Sequence, residues 1–183
     1  MLVTNPVSGW VNQPLPLPTN GAVFVNGGNL TVSGTLKGQL TLGTSQNVIV
    51  ANAVRYNCNP LTQTDVTNQP CSPTDLLGIV AEQNIVVSRS APYDVTIHAS
   101  VMALNESFTV ERWWEGPPKG TLSVLGGIIQ TRRGPVGTFN GGTGAKLSGY
   151  TKDYRYDVRL SNMAPPFYPT TTRYQGRLWQ EEN

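Results

Sequence analysis

Between residues 23 and 126 the chain repeatedly sets two apolar residues one position apart and then stops at Gly, Ala, Ser or Asn. The segments are Val23-Phe24-Val25-Asn26-Gly27, Leu30-Thr31-Val32-Ser33-Gly34, Leu40-Thr41-Leu42-Gly43, Val48-Ile49-Val50-Ala51-Asn52, Ile85-Val86-Val87-Ser88, Val95-Thr96-Ile97-His98-Ala99 and Leu122-Ser123-Val124-Leu125-Gly126. An apolar period of two with many β-branched residues marks strands, because successive side chains of an extended chain leave on opposite sides. Helices are disfavoured throughout, since 183 residues include 19 Gly, 14 Pro, 20 Thr and 15 Asn. The chain therefore reads as all-β.

The first apolar positions of the leading segments, 23, 30, 40 and 48, are 7, 10 and 8 residues apart, so three segments return the chain to its starting phase after about 25. This spacing predicts a single-stranded parallel β-solenoid. Each short strand buries one side, turns at a Gly or Asn that tolerates left-handed dihedrals, and stacks on the coil below. The interval from Val48 to Ile79 in Leu76-Leu77-Gly78-Ile79-Val80-Ala81 is 31, and the excess fits an insertion at one corner. Further segments at Val101-Met102-Ala103-Leu104, Phe108-Thr109-Val110 and Ile128-Ile129 bring the expectation to about four coils, right-handed by the preference of parallel crossovers. The alternative is an antiparallel β-sandwich, whose strands also recur every 8 to 12 residues. Against it, hairpin dipeptides are confined to Asn26-Gly27 and Asn140-Gly141.

The organisation that follows is a lead-in over residues 1–20, a solenoid over 21–133 with an insertion at about 56–75, and a C-terminal part over 134–183. That last part opens with Gly-rich loops and continues without repeat as a basic, aromatic segment that packs along or caps the last coil, whose open end would expose strand edges and apolar core. Inside the insertion Cys58 and Cys71 lie 13 apart in a polar stretch that also holds Pro60, Pro70 and Pro73. A disulfide there offsets about 3 kcal/mol of loop-ordering entropy and points weakly to an oxidising compartment. A metal site would need four ligands, and the one histidine, His98, is distant, so no metal or other cofactor is expected.

Residues 1–10 lack the basic and apolar regions of a signal peptide, and no apolar run approaches the about 18 residues of a membrane helix. Catalytic patterns are weak. Gly144-Ala145-Lys146 has the wrong spacing for a phosphate-binding loop. A Ser-His-Asp arrangement would have to use His98, which the alternation Val95, Ile97, Ala99 turns outward, giving a surface histidine. Paired carboxylates for glycan cleavage could come from Asp94, Glu106, Glu111, Glu115, Asp153 and Asp157, but no pair stands out among 11 acids. No catalytic residue is assigned.

Charge is more informative. From Lys119 to Gln180 nine basic residues face two acids, a balance of +7 against −5 for the rest of the chain. Arg132, Arg133, Lys146, Lys152, Arg155 and Arg159 are the candidates for phosphate contacts, interleaved with Tyr150, Tyr154, Tyr156, Tyr174 and Trp179 that could stack on bases. The competing reading has these arginines fasten the cap by pairing with acids and aromatic faces. Trp113 and Trp114 form a second candidate contact surface, because adjacent residues of an extended chain cannot face one core together.

Several stretches together resemble bacterial surface proteins of the pilus-assembly PilX-like group. They are Leu30 to Leu42, Leu77-Gly78-Ile79-Val80-Ala81, Leu122 to Gln130 with Arg133-Gly134-Pro135-Val136-Gly137, and the ending from Gly149-Tyr150 through Tyr154-Arg155-Tyr156-Asp157-Val158-Arg159-Leu160 to Pro165-Pro166-Phe167-Tyr168-Pro169. In that ending Tyr168 interrupts the group's usual Pro-Pro-x-Phe-Pro order. The resemblance implies an extracellular β-solenoid behind a pilin-like N-terminal membrane helix, in a group whose relatives include minor pilins proposed to receive DNA in natural transformation. This chain shows no such helix, so the expectation is an excised ectodomain or a divergent member. The function expected is a non-enzymatic, pilus- or cell-surface-associated module that binds DNA or an anionic polysaccharide and meets other pilin subunits. A glycan-cleaving β-helix enzyme and a purely structural, self-assembling module are the alternatives.

Overall fold

The computed structural model describes residues 2–5 and 10–169 of the chain, the side chains from Leu15 onward. The fold is all-β. Its strands are β1 (Leu2–Asn5), β2 (Trp10–Pro14), β3 (Ala22–Val25), β4 (Leu30–Leu36), β5 (Gln39–Thr44), β6 (Val48–Tyr56), β7 (Cys58–Asn59), β8 (Thr64–Asp65) and β9 (Leu76–Ala81). They continue with β10 (Ile85–Val87), β11 (Val95–His98), β12 (Ser100–Ala103), β13 (Phe108–Val110), β14 (Pro118–Gly126), β15 (Ile128–Gln130), β16 (Gly137–Phe139) and β17 (Lys146–Tyr156). One 3-10 turn, Val158–Ser161, follows.

Two sheets carry the architecture. A five-stranded sheet, ordered β15-β12-β9-β5-β3, is parallel throughout, with Val23 beside Leu42, Leu42 beside Ile79, Ile79 beside Val101 and Val101 beside Ile128. An eight-stranded sheet runs β13-β10-β6-β11-β14-β17-β16, with β4 also on β6. There Leu30 lies beside Val48, Val48 beside Ile85 and Ile85 beside Phe108, all in parallel ladders. Antiparallel pairing, the mark of hairpins, occurs at β1–β2, β7–β8 and β16–β17.

These registers correct the expected 25-residue return. Val48 does not stack on Val23; Val23 pairs with Leu42, 19 residues on, and Leu30 pairs with Val48, 18 on. The reason lies in β4 and β6, each of which serves two ladders. β4 shifts register between Val32 and Gly34, where Gly34 takes φ +111°, so Leu30–Val32 pairs with Val48–Val50 while Gly34–Leu36 pairs with Val54–Tyr56. Glycine reaches that backbone region without the Cβ penalty other residues meet. The next offset, from Leu42 to Ile79, is 37 residues, and the surplus contains the Cys58–Cys71 disulfide.

Inward side chains follow the predicted alternation. Val48, Val50, Ile79, Ile85, Val87, Val95, Ile97, Val101 and Leu122 are sealed in one core. Burying each such side chain stabilises by about 1.5–3 kcal/mol. One corner is fixed by an amide ladder: Asn47 donates its backbone N–H and its Nδ2–H to Asn29 Oδ1, and Asn84 does the same to Asn47 Oδ1. Asn84 Oδ1 then accepts from the Ser107 N–H at 3.2 Å, so the ladder runs along the starts of four paired strands, β4, β6, β10 and β13.

After the 3-10 turn the chain runs back across the five-stranded sheet. Thr41 Oγ1 donates to the Pro166 carbonyl and Ser100 Oγ to the Tyr168 hydroxyl, the latter at 2.9 Å. Gly78, between Thr41 and Ser100 in the ladder, leaves the space the Tyr168 ring fills. Arg173, Tyr174, Arg177 and Trp179, counted in the basic C-terminal part, lie outside the described residues.

Candidate functional site

β15 ends at Gln130, whose side-chain Oε1 accepts from the Phe108 N–H at 2.8 Å and the Gly134 N–H at 3.3 Å. Those bonds draw the 131–134 turn over β13. The approach is close: a Cβ on Gly134 would lie 2.1 Å from the Phe108 carbonyl oxygen. Arg132 and Arg133 ride on this turn and are exposed. Opposite, β17 pairs with β14 so that Lys152 sits beside Leu122 and Tyr154 beside Val124.

Arg133 and Lys152 thereby meet at one groove of about 320 Å³, lined also by Phe108, Ile128, Gln130, Gly134 and Tyr154. Its floor is aromatic, Phe108 and Tyr154 meeting edge to face with centroids 6.1 Å apart. Lys152 Nζ stands 5.9 Å from the Tyr154 centroid, within cation–π range. Burial, helped by the positive charge of Arg133, lowers the Lys152 pKa. Burial also pushes the Tyr154 hydroxyl up to about 12, Arg133 opposing, so the ring stays neutral. Two cations above a neutral aromatic floor can receive an anionic group and stack a planar one.

The remaining basic candidates are elsewhere and engaged. Lys146 Nζ donates to the Lys119 and Gly120 carbonyls and to Thr151 Oγ1. Arg155 pairs with Asp153 at 3.1 Å. Arg159 is bound to the buried Asp157 at 2.6 Å, donates to the Pro73 and Asp75 carbonyls, and lies over the Tyr56 ring. Arg159 therefore fastens the 3-10 turn to the base of the disulfide loop, as the competing reading of the charges supposed. Phe108 and Ile128 read from sequence only as strand residues and Gln130 carries no signal, because residues of an edge strand look like any others until pairing is known.

Trp113 packs against the core while Trp114 is 57% exposed, their rings edge to face at 5.3 Å. Arg112, at φ +46°, turns the chain between them and Glu111. Neither ring lines the groove. Beside them Glu115 pairs with Arg89 at 2.7 Å and Arg112 at 3.6 Å.

The acids weighed for glycan cleavage are mostly committed. Asp94 accepts from the Thr121 N–H, Glu111 from the Arg89 N–H, and Glu115, Asp153 and Asp157 hold arginines. Among the described residues no three His, Cys, Asp or Glu side chains group as metal ligands. No helix among them is long and apolar enough to cross a membrane.

His98 departs from the expected surface position, being only 7% exposed. The alternation does turn it to the outward face of β11, but that face lies beside Tyr56, whose ring centroid is 5.3 Å away, and beneath Leu61 of the disulfide loop. The Tyr56 N–H donates to His98 Nδ1 at 3.2 Å, so the neutral ring carries its proton on Nε2. Neither nitrogen is then free to act as a base toward serine. Burial first, and Arg55 next, lower the imidazole pKa from 6.5 to about 4, against the opposing charge of Asp157. Between those values the unfolded chain holds a proton that the folded chain does not, so stability is lost as pH falls from 6.5 toward 4, by about 3 kcal/mol. Urea midpoints measured from pH 7 to 4 should show this decline, and His98→Asn should flatten it. An undiminished slope in that variant would assign the effect to other groups.

Comparison with known proteins finds no family model, no curated protein and no solved structure that matches this chain.

Proposed function

We propose that the chain is a non-enzymatic, extracellular module of a pilus- or cell-surface-associated protein, built as a parallel β-solenoid, whose basic groove binds an anionic polymer, DNA foremost. The parallel registers at 18 and 19 residues and the Asn29–Asn47–Asn84 ladder support the stacked-coil reading. The Cys58–Cys71 disulfide supports an oxidising location. The observation that carries the binding role is the meeting of Arg133 and Lys152 over Phe108 and Tyr154. The resemblance of the Leu122–Gly137 stretch and of the Gly149–Pro169 ending to PilX-like proteins supports the pilus association, and with it other pilin subunits as partners.

Binding to a short fluorescent duplex tests this. With Arg132, Arg133 and Lys152 making phosphate contacts, affinity should fall about fortyfold between ~50 and ~200 mM salt. Arg133→Ala and Lys152→Ala should each weaken binding and reduce the salt slope by about 1. Heparin as competitor separates a general polyanion surface from one selective for DNA. No binding at the lower salt, or binding that both variants retain, would remove the proposal.

A further inference from the structure

A second cavity lies on the outward face of the eight-stranded sheet, away from the basic groove. Parallel register sets two rows of side chains across β11, β14 and β17: Thr96, Ser123 and Asp153 in one, His98, Leu125 and Arg155 in the next. These residues and Leu61, from the loop closed by the Cys58–Cys71 disulfide, line about 230 Å³. The space is below the about 300–1,000 Å³ of sites for drug-sized molecules and suits a single small ring.

The lining has unused hydrogen-bonding capacity of both kinds. His98 spends Nδ1 on the Tyr56 N–H, which leaves Nε2–H as a donor on a residue only 7% exposed. No fully enclosed side-chain polar atom among the described residues lacks a partner, so this unpaired N–H opens to the cavity. The Thr96 and Ser123 hydroxyls make no hydrogen bond among the described residues, and each can donate and accept. Asp153 engages Arg155 Nε through Oδ1, leaving its second carboxylate oxygen and the guanidinium's terminal N–H groups available.

The charges cancel, and that selects the ligand. An anion would meet the Asp153 carboxylate and a cation the Arg155 guanidinium. An apolar molecule would strand two hydroxyls and an imidazole N–H, each an uncompensated desolvation. A ring bearing several hydroxyls satisfies donors and acceptors together, with its C–H surface against Leu61 and Leu125. We infer that the pocket formed by Thr96, His98, Ser123, Asp153, Arg155 and Leu61 binds one neutral sugar ring, free or as a unit of a glycan chain. It is independent of the polyanion groove, with which it shares no residue.

His98 is the only histidine in the chain, so histidine-labelled protein gives one imidazole signal at the floor of this pocket. Glucose, galactose and N-acetylglucosamine are titrated as monosaccharides and as 1,4-linked trimers, with inorganic phosphate and sorbitol as controls. The expected result is a saturable shift of the His98 Nε2–H signal by at least one sugar in the millimolar range, and none with either control. Ser123→Ala and Asp153→Asn should each raise the half-saturation concentration about tenfold, the cost of one lost hydrogen bond. Tighter binding of a trimer identifies an in-chain unit, equal binding a terminal one. Thr96→Val serves if either variant fails to fold, which the unliganded spectrum reports. The inference is overturned if no sugar gives a saturable shift, if phosphate shifts the signal equally, or if the variants bind as the parent does.

Discussion

Arg159→Ala is expected to remove about 3–5 kcal/mol of stability, although sequence alone counts this arginine with the basic residues available to a ligand. Asp157 is 3% exposed, and its carboxylate accepts from Arg159 Nε at 2.9 Å and from Nη2 at 2.6 Å. The same guanidinium donates to the Pro73 carbonyl at 2.5 Å and the Asp75 carbonyl at 3.0 Å, with its carbon 5.1 Å from the Tyr56 centroid. Truncation therefore leaves a buried carboxylate held only by the Arg159 backbone N–H, together with two carbonyls that lose their donor. An unpaired buried charge costs more than the pair contributed, which gives a diagnostic. Asp157→Asn added to Arg159→Ala should recover part of the loss, whereas Asp157→Asn alone should destabilise. Arg132→Ala, on an exposed turn, should stay within about 0.5 kcal/mol of the parent. Urea denaturation separates these cases, and a loss below about 1 kcal/mol for Arg159→Ala would reassign the guanidinium to the surface.

This contrast marks what the sequence could and could not convey. Alternation located the strands that matter, since Val48 and Val50, Ile85 and Val87, Val95 and Ile97, and Leu122 and Val124 are all buried. The spacing of Cys58 and Cys71 in a Pro-rich stretch was enough to expect their disulfide. The second register of β4 on β6, Gly34–Leu36 on Val54–Tyr56, stays hidden because it continues inside strands already paired at Leu30–Val32, and in β4 only the bend at Gly34 divides the two. Alternation sets His98 on the outward face of β11 but not its exposure, because Leu61 of the disulfide loop reaches over that face, and local periodicity carries no such information. Charge counting met the same limit. It names Arg133 and Lys152, which do share a groove, but cannot see that Lys119, Lys146 and Arg159 already donate to backbone carbonyls. The Asn29, Asn47 and Asn84 ladder shows in the sequence only as an Asn before Leu30, Val48 and Ile85, and it gains meaning with the 18- and 37-residue offsets between the paired strands.

Gly126→Ala should be the other severe substitution, and for a reason that lies along the stacking direction. Gly126 ends β14 where three neighbouring strands, β11, β14 and β17, close together: the Ala99 N–H donates to the Leu125 carbonyl, and the Asp157 N–H donates to the Gly126 carbonyl. A Cβ on Gly126 would sit 1.8 Å from the Ala99 carbonyl oxygen and 2.5 Å from its carbon. Both are backbone atoms, so no rotamer change relieves the contact. The layers would have to part by more than 1 Å, against neighbouring strands that hydrogen bonds hold about 4.8 Å apart. That movement would also pull on Asp157 and thus on the Arg159 clasp. The expected cost is about 4 kcal/mol or more, in the range reached by severe overpacking. Gly141→Ala is the control, because a Cβ there meets nothing within 4 Å. Thermal melts of the two variants should differ by about 8–16 °C, since each of the about 4 kcal/mol moves the midpoint of a domain of this size by about 2–4 °C. If Gly126→Ala melts within a few degrees of Gly141→Ala, the close stacking at this corner is not what holds the layers in register.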